Sequence, residues 1–240
     1  MSTLPLPEPP SDSERPGLLA PLRDVFIAPA RAYAALAARP AWLPAFAVVF
    51  ASSVVYLALA APAVTHLAAL ATAGGKSHGA SAADAASAAK VGLTNDLLVA
   101  ALGPLAGWSI TATLLATIAR WKNQTTPYVA FFALCAVCSL PAALGNIIEG
   151  IGVALRGAHG IATWKALAAA LPDNLAVFAA SRNDREVSFL SNFSFFEIWS
   201  TLLLAFGFVA LAQVRPVTAL LVTFGLDVVL ALASTQLFSA

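Results

Sequence analysis

The chain has 240 residues, 60% hydrophobic and 10% charged, with a formal net charge of +1. Typical soluble domains carry roughly a quarter charged residues, so with a mean hydropathy of +0.82 this chain has too little polar surface to form a water-soluble globule. The near-neutral balance supplies no basic field, and no Lys/Arg block interleaves with aromatics, which excludes a nucleic-acid partner.

Residues 1–21 hold Pro5, Pro7, Pro9, Pro10 and Pro16 among Ser, Glu and Asp. Such a composition buries too little apolar area to offset chain entropy, and a disordered tail is expected. Over 22–40, Leu22, Val25, Phe26, Pro29, Tyr33 and Leu36 share one side of a helical projection, while Arg23, Asp24, Arg31 and Arg39 take the other. An amphipathic helix on the membrane surface is expected, with Phe26 and Tyr33 toward lipid and Arg23 and Arg31 toward water. Packing of this segment on the protein's own bundle is the alternative. Pro29 lacks an amide hydrogen and disfavours helix at Ala28, so a kink or two short pieces are predicted.

Residues 41–240 form the membrane domain, with five apolar runs predicted as spans over about 42–62, 97–119, 127–148, 195–214 and 216–237. The second has no charge from Leu97 to Ala119, enough to cross a hydrocarbon core of about 30 Å as a helix. An Ala-rich stretch at Leu59–Ala63 faintly resembles a signal-peptidase site, but the polar region before the first span is too long for a secretory signal, so that span stays as an anchor. The third run is interrupted by Pro141. The segments Arg120–Thr126 and Val214–Pro216 read as tight turns, which makes spans two with three and four with five antiparallel hairpins. His66–Asn95 reads as a Gly/Ala/Ser linker with one marginal Ala-rich helix near Ser81–Lys90. Thr163–Ser181 places Trp164, Leu167, Leu171, Leu175 and Phe178 at threes and fours around Pro172, the pattern of an interfacial helix-break-helix or of a cap on the bundle.

Seven cationic residues (Arg15, Arg23, Arg31, Arg39, Arg120, Lys122 and Arg215) fall on one side by parity of five spans, concentrated in short segments. The six on the other side are spread over two long connections. The positive-inside rule weights short loops, which puts the amino terminus in the cytoplasm and the carboxyl terminus outside.

Asp24-Val25-Phe26-Ile27-Ala28-Pro29, followed by Tyr33, Leu36, Pro40 and Trp42, then Ser139-Leu140-Pro141 in the third span and Phe195-Phe196-Glu197-Ile198-Trp199 opening the fourth, stand in a telling order. In that order, over most of residues 22–236, the chain resembles the Yip1-domain family of polytopic membrane proteins, and its bacterial branch in particular. The resemblance implies an all-α fold of five membrane helices, a cytoplasmic amino terminus and residence in a bacterial inner membrane. Eukaryotic relatives contact small GTPases of the Rab type through a tail motif of Asp-Leu-Tyr-Gly-Pro type that this chain lacks, so that partner is not carried over.

Asp227, near the middle of the fifth run, is the sharpest candidate for chemistry, because a carboxylate at membrane depth is expensive and marks either a pathway or a buried pairing. Its candidate partners are Asn146, Thr113 and Thr117; the last two recur with Ser109 as a hydroxyl stripe that equally suits back-bonding to its own helix. Glu149 and Glu197 are expected at the outer rim of the membrane domain, within reach of Arg156, Arg182 or Arg185. Gly103 and Gly107 form a weak GxxxG, and Cys135 and Cys138 suit small apolar packing rather than redox chemistry. His66, His78 and His159 lack metal-ligand spacing, and no cofactor is expected. No nucleophile-base pattern, GxSxG, HExxH or P-loop is present, so the protein reads as non-enzymatic. Two classes remain: a scaffold or membrane-organisation factor acting on the bilayer, on other membrane proteins or on copies of itself, and a small transporter or channel with a polar path through Asp227.

Overall fold

The computed structural model describes residues 17, 19–71, 82–161, 163, 166–167, 173–178 and 184–237. Among them the chain is helical, without a strand: α1 (Ala20–Ile27), α2 (Pro29–Ala38), α3 (Leu43–Ala71), α4 (Ala82–Trp121), α5 (Tyr128–Cys138), α6 (Leu140–Arg156), α7 (Asp184–Ser191), α8 (Phe195–Ala212) and α9 (Pro216–Leu237). Five stretches are long and apolar enough to cross a membrane: Leu43–Leu70, Thr94–Trp121, Tyr128–Arg156, Phe195–Ala212 and Pro216–Ala233. The protein is an all-α polytopic membrane protein.

The order of spans follows the apolar runs, but their lengths do not. At 1.5 Å per residue α3 is about 43 Å long and α4 about 60 Å, so both outrun the hydrocarbon core. Instead of a separate marginal helix near Ser81–Lys90, α4 starts at Ala82 and continues without a break, because nothing in its Ala-rich start interrupts the backbone ladder. Pro62 and Pro104 are both carried inside helices. The third span divides at Ser139, where Pro141 removes a helical donor; α5 ends at Cys138 and α6 begins at Leu140. Asn123, inside the first tight turn, has φ 58°, and Gln213, which ends α8 just before the second, has φ 48°.

The break at Ala28 is present, with φ −153° and ψ 63°, and Pro29 opens α2. α1 and α2 pack on each other and on α5, and α2 also packs on α8. Their apolar faces are thus covered by protein: Val25, Ala32, Tyr33, Ala35 and Leu36 are buried. The Phe26 ring meets Trp199 edge-on at 5.6 Å, and the Tyr33 hydroxyl donates to the Leu203 carbonyl at 2.8 Å. Arg31 lies on the exposed face, and Arg23, also exposed, pairs with the buried Asp24 at 2.8 Å.

α5 is the central element, with Phe131, Leu134 and Val137 fully enclosed together with Phe208 of α8 and Leu115 of α4. Trp42, Phe46, Trp108 and Phe132 join in edge-to-face pairs that tie the start of α3 to α4 and α5. At the opposite end, Ala60, Ala63 and Leu67 of α3 meet Val153 of α6 and the buried Ile161 and Leu167. Leu167 and Ala176 are buried, so these parts of the Thr163–Ser181 segment cap the bundle; Trp164, Leu171 and Pro172 lie outside the described residues, as do Ser81, Arg182 and nearly all of the Pro-rich tail.

Candidate functional site: a carboxylate-lined cleft at one end of the bundle

Ser194 caps α8, its Oγ accepting the Glu197 amide at 3.1 Å. A short antiparallel pairing holds the approach to this helix: the Leu175 amide donates to the Phe193 carbonyl at 3.2 Å, and the Phe195 amide donates to the Asp173 carbonyl at 2.9 Å. This pairing brings Asp173 and Asn174 beside the first turn of α8. From that turn Glu197 and, one turn later, Thr201 project toward neighbouring helices.

Thr201 Oγ1 donates to an Asp227 carboxylate oxygen and also lies 3.0 Å from the Glu197 carbonyl. Asp227 therefore has a partner on the neighbouring helix, the pairing expected of a half-buried carboxylate at this depth. The partner itself escaped the sequence reading. Its signal was present: Glu197 and Thr201 are four apart, and so share a face of an otherwise apolar helix. Asp227, Thr201 and Glu197 line a cleft of about 310 Å³ with Asn192, Phe224 and Leu230.

Glu197 also lines a second cleft of about 340 Å³, shared with Asn146, Glu149, Asp173, Asn174 and Tyr56. The floor is shaped by close approach of helices. A Cβ on Gly145 of α6 would come within 2.9 Å of the Phe196 ring, and one on Gly150 within 3.2 Å of the Tyr56 Cα. Ser200 Oγ accepts the Ala142 amide at 3.1 Å, joining α6 to α8 just past the Pro141 break. Burial pushes the Asp173 carboxyl above the usual carboxylate range, a hydrogen bond from its own backbone opposing the shift.

Four of the sequence-derived candidates thus meet around two adjoining clefts: Asp227, Glu197, Glu149 and Asn146. Thr113 and Thr117 do not join them. Both are exposed, and they donate back to the Ser109 and Thr113 carbonyls at 2.7 Å, a bond local to α4 and independent of any neighbour. α4 packs on α3 and α5. Arg156 is exposed at the end of α6, and the ion pair found among the described residues is Arg23 with Asp24, not a rim pair of Glu149 or Glu197. Of the residues expected at a membrane surface, Arg23 and Arg31 are exposed, Phe26 is 37% exposed, and Tyr33 is enclosed by α8.

The clefts can hold water and polar or cationic groups, and Asp227 and Glu197 could exchange protons with them. Nothing in this arrangement resembles a nucleophile held by a base, and no group of three or more His, Cys, Asp or Glu side chains suited to a metal ion occurs among the described residues. Compared with protein-family models, with curated proteins and with solved structures, the chain matches none.

Proposed function

We propose that the protein is a non-enzymatic membrane scaffold or membrane-organisation factor of the kind the Yip1-family resemblance implies. In this reading it resides in a bacterial inner membrane with its amino terminus in the cytoplasm. Its partners are the bilayer, other membrane proteins or further copies of itself. The observation that carries this reading is the apolar packing of α8 against α5. Phe131, Leu134, Phe208, Leu211 and Ala212 are each at most 7% exposed, and the buried Thr223 of α9 bonds back to the Ala219 carbonyl of its own helix. A transport path needs polar groups or broken helices continuing through the bundle. The exposed Arg23, Arg31 and Arg39 would face the headgroups of the cytoplasmic leaflet.

A second reading, a small transporter or channel, is favoured by one feature: Glu197 belongs to both clefts and links Asn146 and Glu149 to Asp227. One experiment separates the two. The full chain is cross-linked in its native membrane, co-purified proteins are identified, and the same preparation is tested for proton and cation flux in liposomes. Specific partners without flux support the scaffold; flux that Asp227→Asn abolishes reverses the ranking.

A further inference from the structure

His66 and His159 come from distant parts of the chain and have no spacing that suggests a shared role. The fold brings them together at the end of the bundle where α3 and α6 finish. Their ring centres lie 4.8 Å apart with planes inclined at 74°. Two imidazoles that each set a nitrogen about 2.0–2.1 Å from one cation have ring centres about 4.5–5.2 Å apart, for angles between square and tetrahedral. The observed separation falls inside that window. Imidazole χ2 is a broad, soft torsion, so the two rings can turn their nitrogens inward without moving the backbone.

The backbone beneath them is held firmly. After α6 the chain turns at Gly157, where φ is +70°, and forms a short 3-10 turn over Ala158–Gly160. It is then anchored by Ile161, fully buried against Ala63 and Leu67 of α3 and Val153 of α6. His66 stands one residue before Leu67 on α3, half-buried, and His159 is exposed. Counted from Leu43, the first residue of α3, a core of about 30 Å ends after about 20 residues, which leaves His66 in the interface beyond it.

We propose that His66 and His159 form a two-imidazole site for a borderline divalent cation such as Cu²⁺ or Zn²⁺, which clips the turn after α6 to the end of α3. Neutral imidazole suits these ions, whereas Mg²⁺ and Ca²⁺ demand oxygen ligands. Among the described residues no third His, Cys, Asp or Glu completes a cluster, so water fills the remaining positions and the ion is exchangeable.

The test uses the full chain in detergent without a polyhistidine tag, titrated with Cu²⁺ and followed by electron paramagnetic resonance and calorimetry. One equivalent should bind with a signal split by two imidazole nitrogens. His66→Ala and His159→Ala should each weaken binding by about tenfold or more and remove the cation-induced rise in thermal midpoint. Metal-free midpoints close to wild type would show that both variants are folded; if either unfolds, His66→Gln and His159→Gln replace them. His78→Ala should leave binding unchanged. The proposal is overturned if no saturable binding occurs at millimolar cation, if binding survives both substitutions, or if His78→Ala alone abolishes it.

Discussion

Tyr33 carries two roles that its position in an amphipathic pattern does not separate. Its ring fills space between α2 and α8, and its hydroxyl reaches the Leu203 carbonyl. Burial pushes its pKa well above the ordinary value of 10.0. The folded chain therefore holds the phenol proton where the unfolded chain releases it. Stability from this group is complete below pH 10 or so and falls as pH rises further, because ionisation favours unfolding. Tyr33→Phe should cost about 0.5–1.5 kcal/mol at neutral pH through the lost hydrogen bond, and should reduce the loss of stability in alkali. Thermal midpoints of both proteins between pH 8 and 11 check this; identical alkaline slopes would contradict it. Asp227 was visible in the sequence as a costly group, whereas its partner Thr201 depended on which helix packs beside α9.

Among helices, small residues decide how closely neighbours approach, since lipid supplies no hydrophobic drive between spans. The GxxxG of α4 is not where this happens: a Cβ on Gly107 meets nothing within 4 Å, and one on Gly103 meets only its own helix at 3.8 Å. The close contact is at Gly207 of α8, where a Cβ would sit 2.3 Å from Leu134 Cδ1 and 3.0 Å from Tyr33 Cε1. Three helices converge there. Gly207→Ala should therefore lower stability by about 1–3 kcal/mol through overpacking, while Gly107→Ala should be neutral or slightly stabilising; equal thermal midpoints for the two variants would refute this packing account. Pro29 and Pro141 were legible as helix interruptions because proline lacks the amide donor, but the same lack leaves Pro62 and Pro104 inside continuous helices, so which prolines break a helix was decided by the packing around them. The unbroken run of α4 from Ala82 was not legible, since Ala, Ser and Gly fit a linker as well as a helix until something supports them.

In the proposed orientation the amino terminus lies in the cytoplasm, and an odd number of spans then carries the carboxyl terminus to the outside. Alkaline phosphatase fused after Ala240 should be active, and a cytoplasm-dependent fluorescent reporter at the same point should be dark. The reverse pattern would invert the orientation without altering the fold. At this scale the chain's composition determined the class of protein: too few charges to meet water, and apolar runs long enough to need lipid. It also determined the number and order of spans, because a backbone in hydrocarbon satisfies its own hydrogen bonds only as helix. Pairing among those helices was left to tertiary structure. Packing turned the amphipathic segment onto α5 and α8, gathered Asp227, Glu197, Glu149 and Asn146 around two clefts while leaving Thr113 and Thr117 outside, and set His66 beside His159. The physical reason is one of range: hydropathy and proline act within a few residues of the same chain, whereas these contacts depend on which helix faces give the closest fit across the bundle.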